Sequence, residues 1–114
     1  TPADADALVR KVVVLRVFPD DERRMNRSIR DVGGSVLVVS QFTLAGSVRK
    51  GRRPSFTDAA PPEFAEPMIE RIAGAFEEAG VPTSTGRFRA MMDVALVNDG
   101  PVTFVIDVEG GVVR

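Results

Sequence analysis

The 114-residue sequence contains no cysteine and no histidine. Without cysteine there can be no disulfide, no thiolate nucleophile and no cysteine-held metal. Without histidine the commonest general base and metal ligand near neutral pH is gone. No metal or cofactor is expected. Any catalysis must rest on Ser, Thr, Asp, Glu, Lys or Arg side chains, on the backbone, or on the substrate. An excess of positive charge is lacking too: 15 cations face 16 acids, for a net charge of −1. That balance argues against a broad nucleic-acid-binding face, although a small basic patch can still grip a few phosphates. No apolar run approaches the ~18 residues of a membrane span. "TPADADALVR" has neither the basic start nor the apolar centre of a secretory signal. The expectation is a cytoplasmic protein with no membrane association. The first residue is Thr1 rather than methionine, which reads as a processed product or a fragment.

What is present is ordinary for one soluble domain: 44% apolar residues, 27% charged, and length enough for a single modest core. "TPADADALVRKVVVLRVF" opens like a helix, with Thr1 as N-cap, Pro2 at the first helical position, and Asp4 and Asp6 near the positive dipole end. The β-branched run Val12-Val13-Val14 argues against a long continuation. "PDDERRMNRSIRDVGG" reads as a polar loop with room for a short hairpin. "SVLVVSQFTLA" predicts a buried strand from about Val36 to Leu44, and "GSVRKGRRPSFTDAAPP" a long surface loop. From Pro62 to Gly80 the apolar residues fall at helical spacing. Pro67 would cost ~3 kcal/mol deep in a helix, so the regular part is expected to begin near Glu66 and to end at Gly80. Two strands should follow, about Ala90 to Val97 and Val102 to Val108. The fold class is therefore α+β, with a mostly antiparallel sheet.

Four stretches could carry chemistry. In "SQFTL", Ser40 and Thr43 are hydroxyls where a rigid strand meets a loop. A threonine without an adjacent base is a poor nucleophile, and Thr43, Gln41 and Phe42 can equally be plain strand residues. "VRKGRRPSF" puts four cations, Arg49, Lys50, Arg52 and Arg53, into five positions around Gly51. Such a loop can follow a phosphate backbone or merely stay solvated. In "TGRFRAMM", Phe88, Met91 and Met92 suit a core, while methionines also make adaptable walls for flat ligands. "VNDGPVT" is a strong turn signal, and on physical grounds a hairpin turn competes with a backbone-built site at Gly100-Pro101.

Together the motifs say more. "SQFTL", "KGRRPSFTDAAPPE" and "NDGPVT", with "MNRSIRDVGGSVLVVSQFTL", resemble D-aminoacyl-tRNA deacylases in order and spacing, from about Ala3 to Asp107. The resemblance implies a single domain over residues 1–114. It also implies a homodimer that hydrolyses the ester between a D-amino acid and the 3′ end of tRNA, with no cofactor. Its sheet would be barrel-like with flanking helices. The family's usual N-terminal strands, one of them of "QRV" type, would fall before Thr1, so the chain is expected to be N-terminally truncated. By resemblance, Ser40, Gln41, Phe42 and Thr43 form the catalytic stretch, with the amides around Phe42 and Thr43 facing the oxyanion and Thr43 orienting substrate. Gly100 and Pro101 resemble a Gly-cis-Pro motif whose carbonyls select the D-substrate in the neighbouring subunit. Asn98, Ala90 and Met91 join the substrate-binding set, the Met91 region holding the terminal adenine. Arg49, Lys50, Arg52 and Arg53 lie toward the tRNA acceptor end. One departure stands out: Arg89 occupies a position where the family pattern has glycine, and can either clash or supply a cation. The rival readings are a non-catalytic nucleic-acid-binding module, an inactive fragment on the same fold, and a related deacylase with a trans Gly-Pro. The last has "PQATL" where this chain has "SQFTL".

Overall fold

A computed structural model describes residues 1–114. The elements in chain order are helix α1 (Pro2–Val14), strands β1 (Phe18–Pro19), β2 (Met25–Arg27) and β3 (Val36–Val38), and a 3₁₀ turn (Phe42–Ala45). Helix α2 (Pro62–Glu78) and strands β4 (Thr83–Thr85), β5 (Val108–Glu109) and β6 (Val112–Val113) complete it. The class is α+β.

Helix α1 begins as its sequence requires. The Thr1 hydroxyl accepts from the Asp4 amide at 3.2 Å, and Pro2 fills the first turn, where its missing donor costs nothing. The valine run does not stop it. Val9 and Val13, four residues apart, are both buried, and that packing outweighs the weak propensity of β-branched residues.

The hairpin expected in the loop after α1 is formed by β1 and β2, antiparallel, with Asp20 tying its turn together. The Asp20 carboxylate accepts from the amides of Glu22 and Arg24, both at 2.9 Å, and from Asn26 Nδ2 at 2.8 Å.

Helix α2 starts at Pro62, four residues before the expected Glu66. Pro67 removes one ladder bond near the helix start, and the amphipathic face carrying Ile72, Ala73 and Phe76 outweighs that local loss. Its end is a Schellman cap. Gly80 has φ +81°, its amide reaches Glu77 O at 2.9 Å, and the Val81 amide reaches Phe76 O at 3.0 Å. Phe76 and Val81 then meet in the core with Val9, Val13 and Ile29.

The sheet differs from expectation. β3 covers only Val36–Val38, and the chain turns at Phe42 instead of running on to Leu44. β3 pairs with β4 in parallel, Val36 opposite Thr83 and Val38 opposite Thr85, with α2 as the crossover. No regular strand forms over 90–97 or 102–107; only Val108 enters a strand, in the β5–β6 hairpin. The result is three two-stranded sheets rather than one mostly antiparallel sheet. Extended segments become strands only with ladder partners, and residues 90–105 are all exposed with none. The β5–β6 turn is made by Gly110 and Gly111, both at positive φ, and the Gly111 amide donates to Asp4 Oδ1 at 2.6 Å, docking the hairpin on α1.

Candidate active site

The strand β3 delivers Val39 and Ser40 to the 3₁₀ turn, and most of the candidate chemistry gathers there. Gln41 Nε2 donates to the Thr43 hydroxyl at 2.7 Å. No base contacts that hydroxyl, and a threonine without one is a poor nucleophile. The amides of Phe42 and Thr43 open the turn, ahead of its i→i−3 ladder, and neither is paired outside it. Two neighbouring donors are therefore unpaired within the chain.

The basic loop is fastened to the same turn. Ser47 and Ser55 exchange two backbone hydrogen bonds of 2.8 Å, closing the loop at its base. Phe56, the next residue, packs edge-on against Phe42 with centroids 5.0 Å apart. Gly46 makes this possible, since a Cβ there would lie 2.8 Å from the Phe56 ring and 2.9 Å from the Thr43 carbonyl oxygen. Arg49, Lys50, Arg52 and Arg53 are all exposed, and none forms an ion pair within the chain.

A third component borders β3. The Gly86 amide bonds Val38 O at 2.9 Å, and Gly86 lies against both Met92 and Val39. An open cleft of ≈ 580 Å³ follows, lined by Thr85, Gly86, Arg87, Ala90, Met91 and Met92. Met91 and Met92 are not core residues, contrary to the simplest reading: Met91 is 102% exposed and Met92 39%. Of the two, Met92 is folded back, its Sδ accepting from the Arg87 amide at 3.3 Å. Arg89 has φ +62°, a conformation that costs a non-glycine residue roughly 1 kcal/mol. The position at which the resemblance leads one to expect glycine is thus one that takes positive φ.

Asn98, Gly100 and Pro101 are exposed. The Gly100-Pro101 peptide is cis, with Gly100 at φ +123°. The atoms nearest a Cβ there belong to Val102, two of them at 2.9 Å. The structure thus unites Ser40–Thr43, the basic loop and the Ala90–Met92 cleft around the end of β3, and no hydrogen bond ties Asn98–Pro101 to them. Sequence reasoning missed Phe56 and Met92 as site-building residues. Phe56 closes the quoted basic motif, which was the available signal. The choice between two adjacent methionines needed the fold.

Perturbed carboxylates lie elsewhere. Hydrogen bonds from Arg71 hold Asp6 below the usual carboxylate range, the Gly111 amide does the same for Asp4, the Asn26 amide for Asp20, and the Ser28 amide for Asp31. All four fasten the scaffold. A groove of ≈ 450 Å³ between α1 and α2 contains the Arg71–Asp6 pair, bonded at 2.9 and 2.7 Å, which joins the helices. No three Asp or Glu residues gather as metal ligands would, and no helix is long and apolar enough to cross a membrane.

Comparison with known proteins matches residues 1–107 to the family described as D-Tyr-tRNA(Tyr) deacylase. The D-aminoacyl-tRNA deacylase of Roseiflexus sp. (strain RS-1) is 59% identical over 105 residues, which cover 92% of this chain and 68% of the relative. That of Thermomicrobium roseum is also 59% identical with the same coverage. That of Halalkalibacterium halodurans is 52% identical over 107 residues, 94% of this chain and 73% of the relative. Among solved structures, the c-Myc DNA Unwinding Element Binding Protein superposes with a TM-score of 0.80 at 37% identity, over 90% of this chain and 70% of that one. With the motifs in order and the match running through nearly every element, the chain belongs to the D-Tyr-tRNA(Tyr) deacylase family.

Proposed function

We propose that this chain is a single D-aminoacyl-tRNA deacylase domain that hydrolyses the ester between a D-amino acid and the 3′-terminal ribose of tRNA, a proofreading step in cytoplasmic translation. The observation that carries the reading is the family match over residues 1–107, with curated relatives more than half identical. The chemistry fits a chain without histidine or cysteine. Water adds to the ester carbonyl, the C–O bond breaks, and the ribose hydroxyl leaves with a proton. The neighbouring ribose hydroxyl can pass that proton, so the protein mainly orients and stabilises. The free amides of Phe42 and Thr43 serve as oxyanion donors, a role worth about 10²–10³ in rate per donor. Ser40, Gln41 and the Thr43 hydroxyl fix the substrate, Met91, Met92 and Ala90 flank the terminal adenine, and Arg49, Lys50, Arg52 and Arg53 meet acceptor phosphates.

Chiral selection falls to Gly100 and Pro101, with Asn98 beside them, acting in the pocket of a second subunit. Main-chain carbonyls there accept from the D-substrate's amino group and leave no room for an L side chain, which is selection by rejection. The exposure of this segment supports action across a dimer. Surface area supports assembly too. The chain exposes 9105 Å², against about 6,100 Å² for a self-sufficient monomer of 12.3 kDa. Its radius of gyration is 15.7 Å, where about 13 Å is usual. A second subunit and the remaining strands of a barrel-like sheet would cover the exposed apolar residues Leu96, Val97, Phe104 and Val105.

Release of D-amino acid, and not L-amino acid, from charged tRNA tests the reading. A second reading is favoured by the solved relative whose name describes DNA-element binding: a nucleic-acid-binding module without hydrolysis. Retained tRNA or DNA binding with no ester cleavage would select it.

A further inference from the structure

We infer that Arg89, together with Arg87, binds a backbone phosphate of the single-stranded acceptor end, next to the nucleotide held in the Met92 cleft. The inference rests on the deacylase reading and adds to it a further contact. Only two non-glycine residues have positive φ, Arg23 and Arg89. Arg23 lies in the β1–β2 hairpin turn, whose geometry asks for that conformation, and its amide closes the turn on Asp20 O at 3.0 Å. Arg89 also sits in a turn, as its third residue, a place where positive φ favours glycine. The Ala90 amide closes that turn on Arg87 O at 3.1 Å, at the edge of the cleft that Arg87 and Ala90 line. Glycine would adopt this backbone without strain, yet the chain has a long cation there.

Nothing inside the protein accounts for that cation. Both guanidiniums are exposed, and neither makes an ion pair or a side-chain hydrogen bond. Asp93 is nearby in sequence but unpaired with either. Two unpaired guanidiniums beside one cleft are free to meet a partner from outside the chain. The cleft indicates which. Its floor is the Met92 thioether beside Gly86, soft and apolar, suited to the face of a base. A planar guanidinium at the rim then meets the adjoining phosphate in a two-pronged hydrogen bond. Stacking surface plus rim cation is how single-stranded ends are held without reading sequence. In a chain of net charge −1, such local cations must do the electrostatic steering.

The test compares wild type with Arg89→Gly, Arg89→Lys and Arg87→Ala, using D-aminoacyl-tRNA for kinetics and uncharged tRNA for binding. Arg89→Gly removes cation and backbone strain at once, so stability and affinity should move in opposite directions. The expected result is a melting temperature about 4 °C higher, with KM and the tRNA Kd raised about five- to tenfold and kcat within twofold. The slope of log affinity against log salt should become shallower by about 0.7, one single-strand phosphate contact. Arg87→Ala should give the same loss of slope, and Arg89→Lys should recover part of the affinity. Unchanged KM and salt slope in Arg89→Gly would overturn the inference, and so would weaker binding with an unaltered slope. Wild type inert on the D-ester would strike the deacylase reading alone, because the uncharged-tRNA measurements still read Arg89.

Discussion

Gly46→Ala adds one methyl group where two parts of the candidate site are clamped together. The added Cβ would lie 2.9 Å from the Thr43 carbonyl oxygen and 2.8 Å from the Phe56 ring, while ordinary contact starts at 3.4 Å. Gly46 has φ −73°, so alanine meets no conformational objection and the effect is steric alone. The ring of Phe56 is 37% exposed and can swing away, at the expense of its edge-on contact with Phe42. The carbonyl cannot yield alone, because it accepts the Gly46 amide at 3.0 Å and closes the turn. The turn must therefore shift by about half an ångström, the tolerance within which a catalytic group has to be held. If a 1 Å misplacement costs about 10²-fold, this shift costs about tenfold in kcat. Overpacking of this kind strains a core by roughly 1–3 kcal/mol. Here the strain is released locally, since no residue of the turn is buried. Single-turnover hydrolysis of D-aminoacyl-tRNA, with a thermal melt of the same protein, reads both effects. The expected result is a rate down about tenfold and a melting temperature within a few degrees of wild type. A rate within twofold of wild type would refute the claim that this turn positions the reacting ester.

Gly74→Ala is the matching control: it sits in α2 with nothing within 4 Å of an added Cβ, so stability should rise by about 0.5–1 kcal/mol with activity unchanged, read as a higher urea midpoint at constant slope. Gly80→Ala meets no clash either but has φ +81°, so it should cost about 1 kcal/mol in the same titration. Asp6 is held below the usual carboxylate range by Arg71, so the pair's contribution is present above about pH 4 and fades as pH falls through the folded-state value. Asp6→Asn should therefore narrow the difference in melting temperature between pH 7 and pH 3; an unchanged difference would show the pair does not tie α1 to α2. Replacing Arg49, Lys50, Arg52 and Arg53 with alanine should weaken tRNA binding and flatten its salt dependence by about 0.7 per lost phosphate contact, leaving the melting temperature unchanged.

What the sequence made legible followed from local chemistry. Thr1, Pro2 and Asp4 announce the start of α1 and Gly80 the end of α2, and the polar run after α1 left room for the β1–β2 hairpin, because caps and turns are decided by a few adjacent residues. The basic loop and the "SQFTL" stretch were visible as candidates for the same reason. The segments 90–97 and 102–107 have strand-like composition but no ladder partner, and no local pattern can show whether one exists. Pro67 misled in the opposite direction, since its local penalty was overruled by the buried face of α2. The parallel pairing of β3 with β4 depends on a crossover of more than forty residues, which no window of sequence reveals. Phe56 against Phe42 is a contact of the same non-local kind.

The most direct test of the central claim is amino-acid release from matched D- and L-aminoacyl-tRNA by this protein. D-ester hydrolysis well above the buffer rate is expected, with L-ester hydrolysis at the buffer rate. No D-ester hydrolysis above buffer, or equal hydrolysis of both, would contradict it.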